Sequence, residues 1–361
     1  MKILQINKFY YPDIGGIETV VKQYAEFSTD EHEATVLCVH KNFKLRTSFE
    51  EVNNVKVIRC SSFGTFFSMP VSLSFFFFLF RIKNRFDVLH FHEPFPLASI
   101  MSPFLRGRTK IVVTWHSDII KQKLLKRIIE IFQAALCRKA DLITTTSPNM
   151  KRFSSVISHF KKKVRILPLS IDTENKQSSN LDKGYILYLG RLSYYKGIDI
   201  LLKAYERSKT NKKLLIIGDG DANIVQTIKS MKLNSSKTIE FINEFVSEEE
   251  KYEYIKKCSF LAFPSIEPSE AFGIIQLEAM LLGKPVINTN LSTGVPYVSK
   301  HKVTGITVAP KSIEELSSAI DELSFDNNLL SRLGENARER VMNNFSNRII
   351  KKELLKIYVD L

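Results

Sequence analysis

The chain predicts an α/β protein made of two Rossmann-like, doubly wound parallel-sheet domains that share an interdomain cleft. Three observations carry the prediction. Short β-rich runs alternate with helical patterns over nearly the whole length, which is how parallel sheets with helices on both faces are built. The alternation breaks once, around Asp172 to Lys183, in the polar stretch SIDTENKQSSNLDKG. At 361 residues the chain is long for one core and sufficient for two.

In order, Lys2 to Asn7 reads as a strand, KFYYPDIGGIE as a turn, and Val20, Val21, Tyr24 and Phe27 as one face of a helix. Gly15-Gly16 either lets the backbone turn sharply beneath a ligand or merely tightens the turn. Further strands are expected at Ala34 to Val39, Val55 to Cys60, Val88 to Phe91, Ile111 to Trp115, Leu142 to Thr145 and Val164 to Leu169. After the polar linker come Tyr185 to Leu189, Leu214 to Ile217, Thr238 to Ile242, Phe260 to Phe263 and Val286 to Asn288. The expected domains are residues 1–175 and 183–343, with an amphipathic helix at 344–361 packing back toward the first.

Composition sets the class. Hydrophobic residues make up 44% and charged residues 25%, which excludes wholesale disorder and fibrous sequences. Cys38, Cys60, Cys137 and Cys258 are scattered without zinc spacing, which favours a reducing cytoplasm and no metal. MKILQINKFYYP lacks the apolar run of a signal peptide, so export is not expected. Net charge is +14, and residues 1 to 180 carry 27 Lys+Arg against 15 Asp+Glu, so the excess lies in the first half. An anionic partner for that half is expected: a membrane, a nucleic acid or a phosphorylated substrate. Between Val52 and Phe86 no acid occurs, and eight Phe lie from Phe63 to Phe80. The segment MPVSLSFFFFLFRIKNR suits either a helix at a membrane interface or a buried core helix. A second acid-free stretch, Leu142 to Ile171, carries Lys151, Arg152 and Lys161 to Lys163. Nucleic acid is disfavoured, because the basic stretches form no helix-turn-helix or zinc-finger pattern.

Ligands of doubly wound sheets bind beyond the carboxyl ends of the strands. In the first half those ends bring His90, His92 and Glu93, and His116, Ser117 and Asp118, groups able to move a proton or to bind a sugar hydroxyl. In the second half, GRLSYYKG follows the first strand and FPSIEPSEAFGIIQLEAMLL reads as strand, loop and helix. Arg191 and Lys196 together can neutralise a diphosphate. Gly273 allows close backbone approach, and the helix that follows offers its positive end. Glu278, deeper on the helix, can accept ribose hydroxyls, and Glu270 the hydroxyls of a sugar. A nucleotide sugar fits this set. Cleaving its sugar–diphosphate bond loads charge onto the departing phosphate, where fixed cations and N–H groups stabilise it without a metal. LLIIGDGD lacks GxGxxG and no GxxxxGK[ST] occurs, which disfavours NAD and ATP sites of those types.

GGIE at Gly15 to Glu18, TWHSD at Thr114 to Asp118, GRLSYYKG and EAFGIIQLE at Glu270 to Glu278 span most of the chain in order. With these residues the chain resembles the retaining GT-B glycosyltransferases of family 4. The HFHEPFP and TWHSDIIKQK segments look most like those of mannosyl- or rhamnosyl-transferring members that build O-antigens. The resemblance implies His116, Glu270, Arg191 and Lys196 in catalysis. It implies a donor site of Gly16, Arg191, Lys196, Glu270, Phe272, Gly273, Ile274 and Glu278. Gly15, His92 and Asp118 are candidates on the acceptor side, and the loops Asn7 to Gly16 and Ile119 to Leu125 are expected to choose the acceptor. The expected partners are a GDP- or UDP-hexose, a lipid-linked saccharide and an anionic membrane surface at the inner face of the cytoplasmic membrane; no cofactor is expected. Two alternatives compete: a nucleotide-sugar epimerase of the same plan, which consumes donor without transfer, and a non-catalytic lipid- or nucleic-acid-binding protein.

Overall fold

The computed structural model describes residues 1–361 except 67, 68, 106, 120–122, 175, 177, 179 and 180, together with the side chains of 123–125. The expected acceptor loop Ile119 to Leu125 and one Phe of the aromatic run therefore fall largely or wholly outside the described residues. The chain divides into two units, Met1–Pro168 with Ile350–Leu361, and Leu169–Ile349.

In the first unit the strands are β1 (Lys2–Ile6), β2 (Glu33–Val39), β3 (Ser48–Val52), β4 (Val55–Cys60), the short pair β5 (Thr65–Phe66) and β6 (Met69–Pro70), β7 (Val88–Glu93), β8 (Lys110–Trp115), β9 (Leu142–Thr145) and β10 (Val164–Ile166). The helices are α1 (Gly16–Ser28), α2 (Leu73–Ile82), α3 (Pro96–Ser99), α4 (Lys123–Lys139) and α5 (Pro148–Phe153). The main sheet runs β10-β9-β8-β7-β1-β2-β4-β3, all parallel except the edge strand β3. Alternate residues of β2 enter cores on opposite faces: Leu37 and Val39 join one cluster, Ala34, Val36 and Cys38 the other. Burial on both faces is why these strands read as continuous apolar runs. β3, SFEEV, is largely exposed, and it is absent from the sequence-based expectation because its pattern carries no buried face.

α2 resolves the two readings of the phenylalanine run. Phe75, Leu79 and Ile82 are buried, while Leu73, Phe77 and Phe80, at the same i, i+4, i+7 spacing, are exposed. The helix is a core element on one side and an apolar surface on the other. Ser72 caps it by accepting from the Phe75 N–H at 3.1 Å. Among the described residues no helix is long and apolar enough to cross a membrane.

In the second unit the strands are β11 (Tyr185–Leu189), β12 (Lys213–Ile217), β13 (Ile239–Ile242), β14 (Phe260–Ala262), β15 (Val286–Thr289) and β16 (Gly305–Val308), in the parallel order β13-β12-β11-β14-β15-β16. The helices are α6 (Ile198–Arg207), α7 (Ala222–Asn234), α8 (Glu248–Lys257), α9 (Ile274–Leu281), α10 (Val295–Val298), α11 (Ile313–Phe325) and α12 (Asn327–Asn344). The last helix, α13 (Asn347–Val359), belongs to the first unit from Ile350 onward.

Each sheet reverses its winding once, between β1 and β7 in the first unit and between β11 and β14 in the second. Such reversals leave a crevice beyond the strand ends. The β11 exit loop and the β14 exit loop meet there backbone to backbone: the Ile266 N–H donates to the Tyr195 carbonyl at 2.8 Å. Gly197 closes the first loop at φ +68, and a Cβ there would collide with the Pro264 carbonyl. We expect Gly197→Ala to lower stability by about 1–3 kcal/mol through left-handed strain and this clash. Denaturant unfolding of the variant beside the wild type measures it, and an unchanged midpoint would show that the loops do not need this approach.

Candidate functional site

In the second unit the site grows from three βα turns. Gly190, at φ +153, lets the chain leave β11, and its N–H donates to the Ile217 carbonyl at 3.0 Å. Leu192 then exchanges backbone bonds with the GDGD turn, donating to Asp219 at 2.9 Å and accepting from Asp221 at 2.8 Å. Side chains at Gly218 and Gly220 would strike the carbonyls of Gly190 and Leu192, so the Gly-Asp-Gly turn serves as the bed on which the Arg191 loop lies. Arg191 itself is exposed.

Lys196 ends a single 3₁₀ turn and places its Nζ 2.5 Å from Glu270 Oε2, with both side chains almost fully buried. The same ammonium stands 5.3 Å from the ring centroids of Tyr195 and Phe263. Thr293 Oγ1 donates to the Glu270 carbonyl at 2.7 Å, and Ser265 Oγ to Glu270 Oε2 at 3.4 Å. Lys196 and Glu270, expected to serve a diphosphate and a sugar separately, are thus joined to each other.

Gly273 caps α9 at φ +80, where an added Cβ would lie 2.6 Å from the Phe263 ring. Phe272 is buried beside it, with its ring edge-on to Phe345 at 6.2 Å. Ile274 opens the helix, whose first N–H groups have no partner within it. Gln276 and Asn288 staple this start: Gln276 Nε2 donates to the Phe272 carbonyl at 2.9 Å, and Asn288 Nδ2 to Gln276 Oε1 at 2.9 Å.

Glu278, one turn along α9, is bound by Lys251 of α8 at 2.7 Å. Lys251 also holds Glu248 at 2.8 Å, and Lys176 Nζ sits 3.4 Å from the centroid of the Tyr252 ring. Burial pushes the Glu278 carboxyl above its usual range while Lys251 pulls it back. Lys251 and Lys176 are absent from the sequence-based site, since a partner 27 residues away on another helix leaves no local signal.

In the first unit, the ends of β7 and β8 place three buried imidazoles in a stack. His90 and His92 rings lie 4.6 Å apart and 18° from parallel, His92 and His116 5.3 Å apart and 13°. Bonds run from His92 Nδ1 to His116 Nε2 at 3.0 Å, from His92 Nε2 to Gln5 Oε1 at 2.8 Å, and from His90 Nε2 to Thr114 Oγ1 at 2.6 Å. Tyr358 of α13 joins them, its hydroxyl 2.9 Å from Gln5 Nε2 and 2.7 Å from His90 Nδ1. Burial pushes His90 and His116 down to about 3 and His92 well below its ordinary value, so all three are neutral near pH 7.

Other first-unit candidates are tied to the scaffold. Asp118 accepts from Trp115 Nε1 at 2.8 Å, Ser154 Oγ at 2.6 Å and the Ser155 N–H at 2.9 Å, anchoring the β8 exit to the segment after α5. Glu93 accepts from Ser99, Gln133 and the Phe95 N–H. Neither Gly15 nor Gly16 adopts a positive φ. Gly15 is extended, at φ −171, and is glycine because the Glu18 carboxylate fills the place of a side chain. Gly16 starts α1 with open space where its Cβ would project. Among the described residues no group of three or more His, Cys, Asp or Glu is placed to hold a metal ion.

Two family models match the chain. Glycosyltransferase Family 4 matches residues 14–175, and Glycosyl transferases group 1 matches residues 171–340. The O-antigen chain mannosyltransferase C of Escherichia coli is 28% identical over 371 residues, covering 100% of this chain and 98% of the relative. D-rhamnosyltransferase WbpZ of Pseudomonas aeruginosa is 28% identical over 357 residues, covering 94% and 91%. Anabaena HepE in complex with UDP-glucose superposes with a TM-score of 0.76 at 18% identity, over the full length of both chains.

The neutral histidine stack has a pH signature. The unfolded chain protonates these groups below about 6.5 and the folded protein does not, so their contribution is complete above that value and is lost as pH falls toward about 3. Stability of the first unit should fall by up to about 1.4 kcal/mol per pH unit for each histidine. Trp115, the single tryptophan and buried in β8, reports that unfolding by fluorescence. His90→Gln should make the slope between pH 6 and pH 5 shallower by about one proton, and an unchanged slope would mean that His90 is charged in the fold.

Proposed function

This chain belongs to the family 4, group 1 glycosyltransferases, and on that premise we propose that it moves a hexose, mannose-type favoured, from a nucleoside-diphosphate sugar to a lipid-linked saccharide with retention of configuration. The product is a cell-surface polysaccharide of O-antigen or capsule type, a reading supported by the relatives named for O-antigen mannosyl and rhamnosyl transfer. HepE was solved with UDP-glucose, which keeps UDP-sugars beside GDP-sugars as candidate donors.

The carrying observation is the buried Lys196–Glu270 pair at the second sheet's winding reversal, beside the start of α9. In this reading the diphosphate binds Arg191, Lys196 and the N–H groups following Gly273, with Gly16 leaving room at the start of α1. Lys196 is shared between Glu270 and the phosphate, so its charge is held in place before the donor arrives. As the glycosidic bond breaks, negative charge grows on the departing diphosphate, where these fixed donors meet it; no metal is called for. Glu270 accepts sugar hydroxyls, His116 serves the transferred sugar, and Glu278, paired with Lys251, accepts ribose hydroxyls.

Glu270→Ala and Lys196→Ala should each abolish transfer while retaining the wild-type circular dichroism spectrum; full activity in either would remove these roles. A thermal-shift panel of GDP- and UDP-sugars names the donor, since a ligand of the folded state raises the melting temperature with its affinity and concentration.

A lipid-linked acceptor puts the enzyme at a membrane, and this reading seats it on the inner face of the cytoplasmic membrane. The support is α2, whose exposed Leu73, Phe77 and Phe80 are 68%, 59% and 58% accessible, with exposed Arg81 and Arg85 at its end. Apolar rings with basic flanks suit an anionic bilayer. Phe77→Ser combined with Phe80→Ser should lower partitioning onto phosphatidylglycerol vesicles at least about tenfold, at an unchanged melting temperature. Equal partitioning of the double variant would assign α2 no part in attachment.

A further inference from the structure

We infer that Gln5, His92 and Tyr358 form a hydrogen-bond relay that fixes His116 as its Nε2–H tautomer and leaves the Nδ1 lone pair to accept a bond from a ligand hydroxyl. The inference deepens, and for its purpose rests on, the assignment of His116 to the transferred sugar. The relay itself stands on distances within the first unit.

The logic begins at Tyr358. Its phenol has one proton and three neighbours: Gln5 Nε2 at 2.9 Å, His90 Nδ1 at 2.7 Å and the Ser28 hydroxyl, which itself donates to the Tyr24 carbonyl. An amide nitrogen donates and never accepts, so the phenol oxygen receives from Gln5. With its nitrogen committed to Tyr358, Gln5 turns its carbonyl oxygen toward His92 Nε2, 2.8 Å away. That oxygen is purely an acceptor, so the His92 proton sits on Nε2. A neutral imidazole has one ring proton; His92 Nδ1 is therefore an acceptor, and His116 Nε2, 3.0 Å from it, is the donor. His116, neutral as well, has no proton left for Nδ1, which carries no partner among the described residues.

Burial removes the alternatives that water would provide. Gln5, His90 and His92 are at most 1% accessible and His116 5%, and a second positive charge in a stack of rings 4.6 and 5.3 Å apart is opposed by desolvation. The chain is polar in one sense: turning the Gln5 amide over reverses the bonds through His92 and converts His116 Nδ1 from acceptor to donor. Tyr358 holds the amide, so a residue of the last helix sets the chemistry of an atom at the end of β8. Gln5, His92 and Tyr358 are positioning residues, because each acts on a ligand only through His116.

Nitrogen-15 labelling of the histidine rings in the full chain, read by two-bond proton–nitrogen correlation, gives each tautomer directly. The His116 signal is assigned by its loss in His116→Ala. The expected wild-type spectrum has His116 protonated at Nε2 and bare at Nδ1. Gln5→Glu, which keeps an acceptor facing His92, should preserve that tautomer. Gln5→Leu, which removes it, should move a measurable share of His116 to the Nδ1–H form and lower kcat about tenfold with a smaller change in donor KM. A wild-type His116 protonated at Nδ1, or a Gln5→Leu signal identical to wild type, overturns the relay. The wild-type spectrum decides this even should Gln5→Leu fail to fold. Full transfer by His116→Ala removes the sugar contact, a separate outcome that the spectra do not depend on.

Discussion

The second unit is organised by one ion pair that forms before any ligand binds. A carboxylate and an ammonium taken out of water each lose several kcal/mol of hydration, and their attraction recovers it only with close geometry and further bonds. Lys196 and Glu270 meet that demand through the backbone. Gly197 lets the β11 loop touch Pro264, Ile266 bonds Tyr195, and Thr293 holds the Glu270 carbonyl. The glycines under these loops are space requirements of the pair. The same logic recurs at Glu278, where Lys251 bridges two carboxylates. In the proposed donor site the ammonium groups of Lys196 and Lys251 are thus already compensated, which limits self-repulsion in the empty enzyme and holds each ammonium in place.

The first unit takes the opposite course. Its polar centre is a stack of neutral imidazoles, and direction comes from tautomers rather than from charge. Burial that would penalise an ion leaves a neutral ring with one donor and one acceptor, so geometry alone sets which nitrogen is bare. Asp118 and Glu93, the carboxylates nearest the strand ends, spend their oxygens on neighbouring N–H and O–H groups.

What the sequence made legible follows from locality. The strands that lie in sheet centres announced themselves as apolar runs, and β11 and β14 with their exit loops came through as GRLSYYKG and EAFGIIQLE, because each motif is contiguous. The exposed edge strand β3 did not, since its pattern lacks a buried face. Nor did the bond from Gln5 to Tyr358, whose partners lie 353 residues apart. The pairing of Lys196 with Glu270 was legible as convergence but not as contact, for register decides which of two facing side chains touch. Nor was the space requirement at Gly15 legible: its backbone is extended, and the Glu18 carboxylate fills the place of a side chain.

The basic excess of the first half shows why net charge overstates attraction. Lys83 donates to the Phe104 carbonyl, Lys139 to Pro103 and Leu105, Lys151 to Val164, and Lys163 to Arg138 and Ala140. These ammonium groups close loop and helix ends, and an anion outside meets them already hydrogen-bonded. Others remain exposed, among them Arg81, Arg85, Arg152, Lys161 and Lys162. The field of exposed charges is screened within about 10 Å at moderate salt, so it orients a bound molecule better than it holds one. In the proposed attachment to a bilayer, retention falls to apolar area, for which the outward rings of α2 are available in the same helix whose other face fills the core.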